Sequence, residues 1–424
     1  MKRKISLLIV LMLILSTLIN VSATEEATES GVTLEATDTT EGVTEETTQE
    51  NEPLMLSMED AVRIATENSR EMWKIDDGIA QVKEARKDAK SAKAAAEEIM
   101  AMSLEQINEK EQAAAAFGIK LDLLGNQISN IMAKNNYYII YADSQQAQLE
   151  KNREMILAGI EIETKSLYYN VLVAEQTIII NKLNLSKAEE QLRVANLKFS
   201  NGSATKAEVL NAEMAVQKAK TELDSAADDY SIAKLNFLNK LELPFDTEFI
   251  LTDTNITYVP AEEINLAEAI EKAKAERPEI LKAENNLELQ KIETHAYTAY
   301  YTSNLRQHKA AKEELKDAEL NVPQAYKDVE LDVRKSYLNL IKAERALINM
   351  EKTLELAKEA ARINQLLYDN GMATMLDVLE ANTGMYQAEI GYYQLLAAYN
   401  INKLMFDNSN LVGSISGIPE KSDF

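Results

Sequence analysis

Residues 368–393, YDNGMATMLDVLEANTGMYQAEIGYY, set a glycine between two stretches that share one apolar rhythm. Before Gly371, Leu354, Ala361 and Tyr368 recur every seven residues; after it, Val378, Met385, Tyr392, Tyr399 and Phe406 do the same. A seven-residue apolar repeat specifies a helix with one seam turned toward a partner helix. Glycine between two such helices is a stop signal, because it adopts the left-handed backbone that ends a helix without steric cost. The stretch therefore predicts an antiparallel coiled-coil hairpin with its tip at Asn370 and Gly371, and Thr374 placed to cap the outgoing helix.

The same plan occurs 169 residues earlier. NGSATKAEVLNAEMAVQKA, beginning at Asn201, aligns with NGMATMLDVLEANTGMYQA, beginning at Asn370, and pairs Gly202 with Gly371, Thr205 with Thr374 and Phe237 with Phe406. Val209, Val216, Leu223, Tyr230 and Phe237 carry the apolar heptad of the first copy, with Ala212, Ala219, Ala226 and Ala233 as small partners. Large residues alternating with alanine specify helices that approach closely. Each half also opens alike, LSMEDAVRIATENSREM from Leu56 and INLAEAIEKAKAERPEI from Ile264. The openings are offset by 208 residues rather than 169, so the first half holds about 39 more residues between opening and tip. Self-similarity of this kind reads as an internal duplication.

Composition agrees with few, long elements. Only 12 Gly and 6 Pro punctuate 424 residues, and none of the prolines falls between Pro53 and Pro244. That span is rich in good helix formers, and one helix from about Ser57 to Phe117 would be roughly 90 Å long at about 1.5 Å per residue. The expected fold class is all-α: long antiparallel helical hairpins in two tandem repeats.

Lys2, Arg3 and Lys4, the apolar run Ile5 to Ile19 and the small residues Ser22 and Ala23 read as an export signal over residues 1–23, with an uncleaved anchor as the alternative. Residues 24–53 hold ten acids, no Lys or Arg and many Thr, the composition of a disordered tether or a glycosylated stalk. The remaining divisions are a first repeat over 54–250, a second over 251–410 and a tail over 411–424. With the three basic residues of the signal and the ten acids of the tether set aside from 45 basic and 69 acidic side chains, residues 54–424 carry a net charge of −17. Such a balance argues against a nucleic-acid partner. An exported chain without cysteine has no disulfide framework and no thiolate metal site.

These features resemble the TolC-type outer membrane efflux protein family: a duplicated half, the opening helices SMEDAVRIATEN and NLAEAIEKAKAERPE, and hairpins of the NGMATMLDVLEANTGMYQAE kind, over most of residues 54–410. The resemblance implies a homotrimeric helical tunnel whose tips dock a membrane-fusion adaptor, joining a transporter in the inner or cytoplasmic membrane to the exterior. It makes Asn201, Gly202, Thr205, Asn370, Gly371 and Thr374 the adaptor-docking tips, and it matches Asp377 and Glu380 to an acidic pair at the tunnel mouth. Carboxylates three apart share a helix face, and three copies would set six around an axis. The other reading of the pair is a charged first turn favoured by the helix dipole. The first half has Glu208 and Asn211 at those places.

Family members interrupt each half with barrel strands. Residues 100–148 and 295–325 show no paired alternating strands here; Lys, Glu and Ala at helical spacing prevail, so barrel strands are expected to be absent or vestigial. Tyr137, Tyr138 and Tyr141, and Tyr297, Tyr300 and Tyr301, cluster in these regions, either as an interfacial belt or as packing within the bundle. His295 and His308, the two histidines, are 13 apart and lack convergent partners. Phosphate loops and nucleophile motifs are missing. No catalytic residue, cofactor or metal is therefore read from the sequence, and energy for transport has to come from another subunit. The expected function is a non-enzymatic conduit component of an efflux or secretion system in the cell envelope. A tethered structural or adhesive coiled-coil protein of the envelope is the alternative.

Overall fold

The computed structural model describes residues 53–118, 120, 122–123, 127–258, 260 and 265–413. The readings of residues 1–23, of the acidic tether up to residue 52 and of the tail beyond residue 413 lie outside them. In chain order the elements are β1 (Leu54–Leu56), α1 (Met58–Glu67), α2 (Arg70–Ala101), α3 (Leu104–Ala116), α4 (Gln127–Lys134), α5 (Tyr137–Ser200) and α6 (Lys206–Lys240). After α6 come β2 (Phe249–Leu251), α7 (Leu266–Glu276), α8 (Pro278–Tyr300), α9 (Arg306–Asp369) and α10 (Met375–Asp407).

The seven-residue rhythm becomes the packing seam. Val333, Leu340, Leu347, Leu354 and Ala361 are all buried along α9, each seven residues from the last. On α6 the small members hold the centre: Ala212, Ala219 and Ala226 are buried, whereas Val216, Leu223 and Tyr230 flank them half-buried. Alanine at the centre lets two helix backbones approach closely, which raises the dispersion contact made per residue. Contacts between α5 and α6 climb one helix as they descend the other. Asn184 bonds Glu222 at 3.3 Å, the Tyr168 and Phe237 rings meet at 5.8 Å, and Lys240 reaches Glu163. The helices α9 and α10 do likewise through Lys358 and Glu389 and through Tyr337 and Phe406, whose rings lie 5.9 Å apart. Tyr168 with Phe237 and Tyr337 with Phe406 stand at the 169-residue offset of the tips.

The single helix expected from Ser57 to Phe117 is instead three. Ser69 and Ser103 interrupt it, each accepting a backbone N–H of the following helix, from Met72 and Gln106, and Ser57 caps α1 in the same way. Serine competes with the helical ladder through its own hydroxyl and so favours caps over interiors. The longest helices are α5 and α9, with 64 residues each, or about 96 Å at about 1.5 Å per residue. Pro323 lies inside α9 on its exposed side, where the missing N–H opens toward water.

At the far end from the tips, the described parts of residues 100–148 and 295–325 are helical or irregular, without strands. Tyr137 packs edge-on to Tyr138 and stacked with Tyr141, while Tyr297 and Tyr300 both contact Tyr301. The two clusters adjoin. Burial pushes the Tyr137 hydroxyl up first, and the Glu293 carboxylate and the Tyr297 ring of the other half add to it.

The sequence reading did not anticipate the one short sheet among the described residues. β1 and β2 pair in parallel, Leu54 opposite Phe249 and Leu56 opposite Leu251. Tyr168 holds the pair to α5: its fully buried hydroxyl donates to the Leu56 carbonyl and accepts the Asp253 N–H, both at 3.1 Å. The second half is tied at the same level by Arg277, a buried guanidinium that bonds Asp332, Glu279 and the Ser409 carbonyl. Arg277 thus joins the α7–α8 corner, α9 and the turn after α10, and its charge is compensated within the core.

The seam makes a direct prediction. Ala219→Leu forces a branched side chain into the buried seam of α6 and is expected to destabilise the fold by about 1–3 kcal/mol. Ala227→Leu, exposed on the same helix, should change stability by less than about 0.5 kcal/mol. Urea unfolding of both variants checks this, and equal midpoints would refute the seam assignment.

Candidate functional site: the paired hairpin tips

Each tip is assembled from the same bonds. After α5, Asn201 is the last near-helical residue and Gly202 turns left-handed at φ +74°. The Ser203 N–H bonds the Lys198 carbonyl at 2.8 Å and the Gly202 N–H bonds the Phe199 carbonyl at 3.0 Å, which is a Schellman stop. After α9, Gly371 has φ +73°, Met372 bonds Leu367 at 2.8 Å and Gly371 bonds Tyr368 at 3.0 Å. A Cβ built on either glycine would meet nothing within 4 Å. The glycines are thus required by backbone conformation and not by crowding.

Capping boxes restart the chain. The Thr205 hydroxyl accepts the Glu208 N–H at 3.2 Å, while Glu208 accepts the Thr205 N–H at 2.6 Å. Thr374 and Asp377 repeat this at 3.2 and 2.7 Å. Reciprocal bonding satisfies two of the N–H groups that every helix start leaves open. Glu208 is therefore the structural counterpart of Asp377, a role the sequence reading missed although Thr-x-x-Glu and Thr-x-x-Asp are its signal. Bonding of one Asp377 oxygen by the Thr374 hydroxyl, and then by its N–H, holds that carboxyl below its ordinary value of 3.8. Glu380, one turn on, is exposed.

The two tips lie side by side. Ala195, Val209 and Ala212 of the first hairpin form one buried cluster with Met375 of the second, bordered by Leu192, Tyr368 and Leu379. The Lys198 ammonium sits 3.8 Å above the centre of the Tyr368 ring, a cation–π contact between the last turns of α5 and α9. All six tip residues read from the sequence thus gather at one end of the molecule, on two adjoining knuckles. The carboxylate of Asp377 is bonded into the second through Thr374, and Glu380 lies one turn below it.

Two outcomes follow from this geometry. A carboxyl whose folded-state pKa is lowered stabilises above its unfolded pKa and loses that contribution as pH falls through the lowered value. Carbon NMR titration of Asp377 should accordingly give a midpoint below 3.8, and Thr374→Val should raise it toward that value; an unchanged midpoint would refute the capping assignment. Gly371→Val should cost about 1–2 kcal/mol, and Gly371→Asn clearly less, because asparagine visits the left-handed region far more readily. Thermal melts of the two variants compare them.

Residues 300–404 match the family described as Outer membrane efflux protein. No curated protein matches the sequence. Among solved structures, a membrane protein from Pseudomonas aeruginosa superposes with a TM-score of 0.62 at 14% identity, covering 84% of this chain and 90% of that one. The CmeC outer membrane channel of Campylobacter jejuni gives 0.61 at 13% identity over 92% and 94%. The outer membrane protein VceC of Vibrio cholerae gives 0.55 at 14% identity over 83% and 95%. At these identities the structures speak for the fold. The likeness to the TolC-type outer membrane efflux family is thereby shown, in sequence over residues 300–404 and in fold over most of the chain.

Proposed function

We propose that this chain is a conduit component of an efflux or export apparatus in the cell envelope, a staves-and-tips element that docks a membrane-fusion adaptor. The observation that carries the reading is the pair of like-built tips at one end of a fold similar to outer membrane channels. Asn201, Gly202, Thr205, Asn370, Gly371 and Thr374 set the shape an adaptor would meet. Met372, 69% exposed at the second tip, offers an apolar contact there. A transporter in the inner or cytoplasmic membrane would supply energy through that adaptor.

Copies of the chain would form the wall. Leu197, Leu210, Met214, Leu338, Leu356 and Leu376 are all exposed on the hairpins of one protomer. Covering such apolar side chains against a neighbouring copy would favour association. Three protomers closing around an axis would cover such surface and present six tips. Asp377 and Glu380 would then ring the mouth, where six carboxylates attract cations and resist closure unless basic partner groups intervene. Among the described residues no helix is long and apolar enough to cross a membrane.

The helices found at residues 100–148 and 295–325 favour a second reading, a structural coiled-coil protein held in the envelope without a pump. Light scattering combined with small-angle scattering on residues 24–424 separates the two: an elongated trimer is expected for the conduit, and a monomeric or dimeric rod would favour the structural protein. For docking, Met372→Glu should weaken retention by a membrane-fusion adaptor at least about tenfold, which is about 1.4 kcal/mol, with helical circular dichroism intact. Unchanged retention would remove the tip from the docking surface.

A further inference from the structure

Along the other long helices several basic side chains pair with an acid three or four positions away, as in Arg193 with Glu190, Arg334 with Glu330 and Arg362 with Glu359. The middle of α2 instead gathers four basic side chains. Lys83, Arg86, Lys87 and Lys90 follow one another at spacings of three, one and three, which keeps them on one face of the helix. They line a cleft of about 560 Å³ against the first turns of α5. Asp143, bonded by Arg86, and Glu150 stand on its opposite wall. Lys87 also pairs with Glu84, while Lys83 and Lys90, both exposed, make no ion pair among the described residues. The cleft is thus left with an excess of positive charge in a chain of net charge −24.

The segment that precedes β1 has the opposite character. Residues 24–53 carry ten acids and no Lys or Arg. They lead into Leu54, whose N–H bonds the Glu248 carbonyl, a few residues from Glu242, the ion-pair partner of Arg70 at the start of α2. From Arg70 the helix rises about 20 Å to Lys83 and about 30 Å to Lys90 at about 1.5 Å per residue. Thirty residues span up to about 100 Å when extended, so Glu45, Glu46, Glu50 and Glu52 are within reach of the whole basic face. Covalent attachment at that distance presents the acids at an effective concentration on the order of millimolar.

We infer that the acidic segment 24–53 docks in cis on the basic cleft between α2 and α5, its carboxylates pairing with Lys83, Lys87 and Lys90. This contact ties the segment to the side of the hairpin and keeps the cleft from other polyanions. Screening weakens it, since exposed charges interact only within a Debye length of about 10 Å at about 0.1 M salt.

The absence of native cysteine makes the test straightforward. Thr47→Cys and Ser91→Cys in the full chain carry a pair of spin labels, diluted with unlabelled chain to remove contacts between copies. Pulsed dipolar spectroscopy should give a narrow distance component at low salt. That component should be lost at about 1 M salt, where the Debye length is about 3 Å, and lost again in Lys83→Gln/Lys87→Gln/Lys90→Gln. One broad distribution under all three conditions overturns the proposal. A second measurement guards against misfolding of the lysine variant: binding of long-chain polyphosphate to Glu45→Gln/Glu46→Gln/Glu50→Gln/Glu52→Gln, in which the cleft is intact. Release of the segment should tighten that binding at least about tenfold over the parent, about 1.4 kcal/mol. Equal binding by parent and variant assigns the cleft to an external polyanion and overturns the docking in cis.

Discussion

The close approach of helices within each hairpin is the constraint on which the rest depends. Ala212, Ala219 and Ala226 on α6 occupy the positions where a larger side chain would hold the backbones apart. The apolar positions recur every seven residues, slightly short of two ideal helical turns, and this mismatch keeps one stripe facing the partner over many turns. Helices of 64 residues could not stay in register on propensity alone; packing of a continuous stripe supplies what propensity does not. The positions of the tips, the side-by-side arrangement of the hairpins and the distance between the two ends of the molecule all follow from that register.

Two devices then locate the ends. At the tips, a Schellman stop and a capping box are joined by a few residues, so that nearly every backbone group of the reversal is bonded locally and the outer surface is left for other contacts. At the middle level, the first half is closed by Tyr168 and the short parallel sheet, and the second by Arg277 and its three partners. Both closures bring a polar atom into the core and satisfy it there, which specifies one arrangement more sharply than apolar contact does. The halves thus share their helical plan while differing in the chemistry that locks it.

Much of this was legible in the chain. Gly202, Gly371, Thr205 and Thr374 announce the reversals because only a left-handed residue followed by a hydroxyl cap fits such a turn, and the 169-residue offset exposes the second tip once the first is seen. The capping partners Glu208 and Asp377 could have been read from their spacing to the threonines. They were obscured because an acid near a helix start has several physical explanations. The breaks at Ser69 and Ser103 were harder to see, since serine is tolerated inside helices and its capping role appears only when the neighbouring chain turns away. The parallel pairing of β1 with β2 joins residues almost 200 positions apart, and three-residue strands leave no periodicity to detect.

Taken by itself, the sequence determined the helical class, the hairpin reversals and the seam, because each of these rests on interactions between residues a few positions apart. The tertiary structure alone decided that the two tips adjoin through Met375, Tyr368 and Lys198, that Tyr168 and Arg277 close the two halves, and that four basic residues of α2 face α5 across a cleft. Those arrangements depend on how long helices pack against one another, and packing is set by the summed fit of many distant side chains rather than by any local pattern.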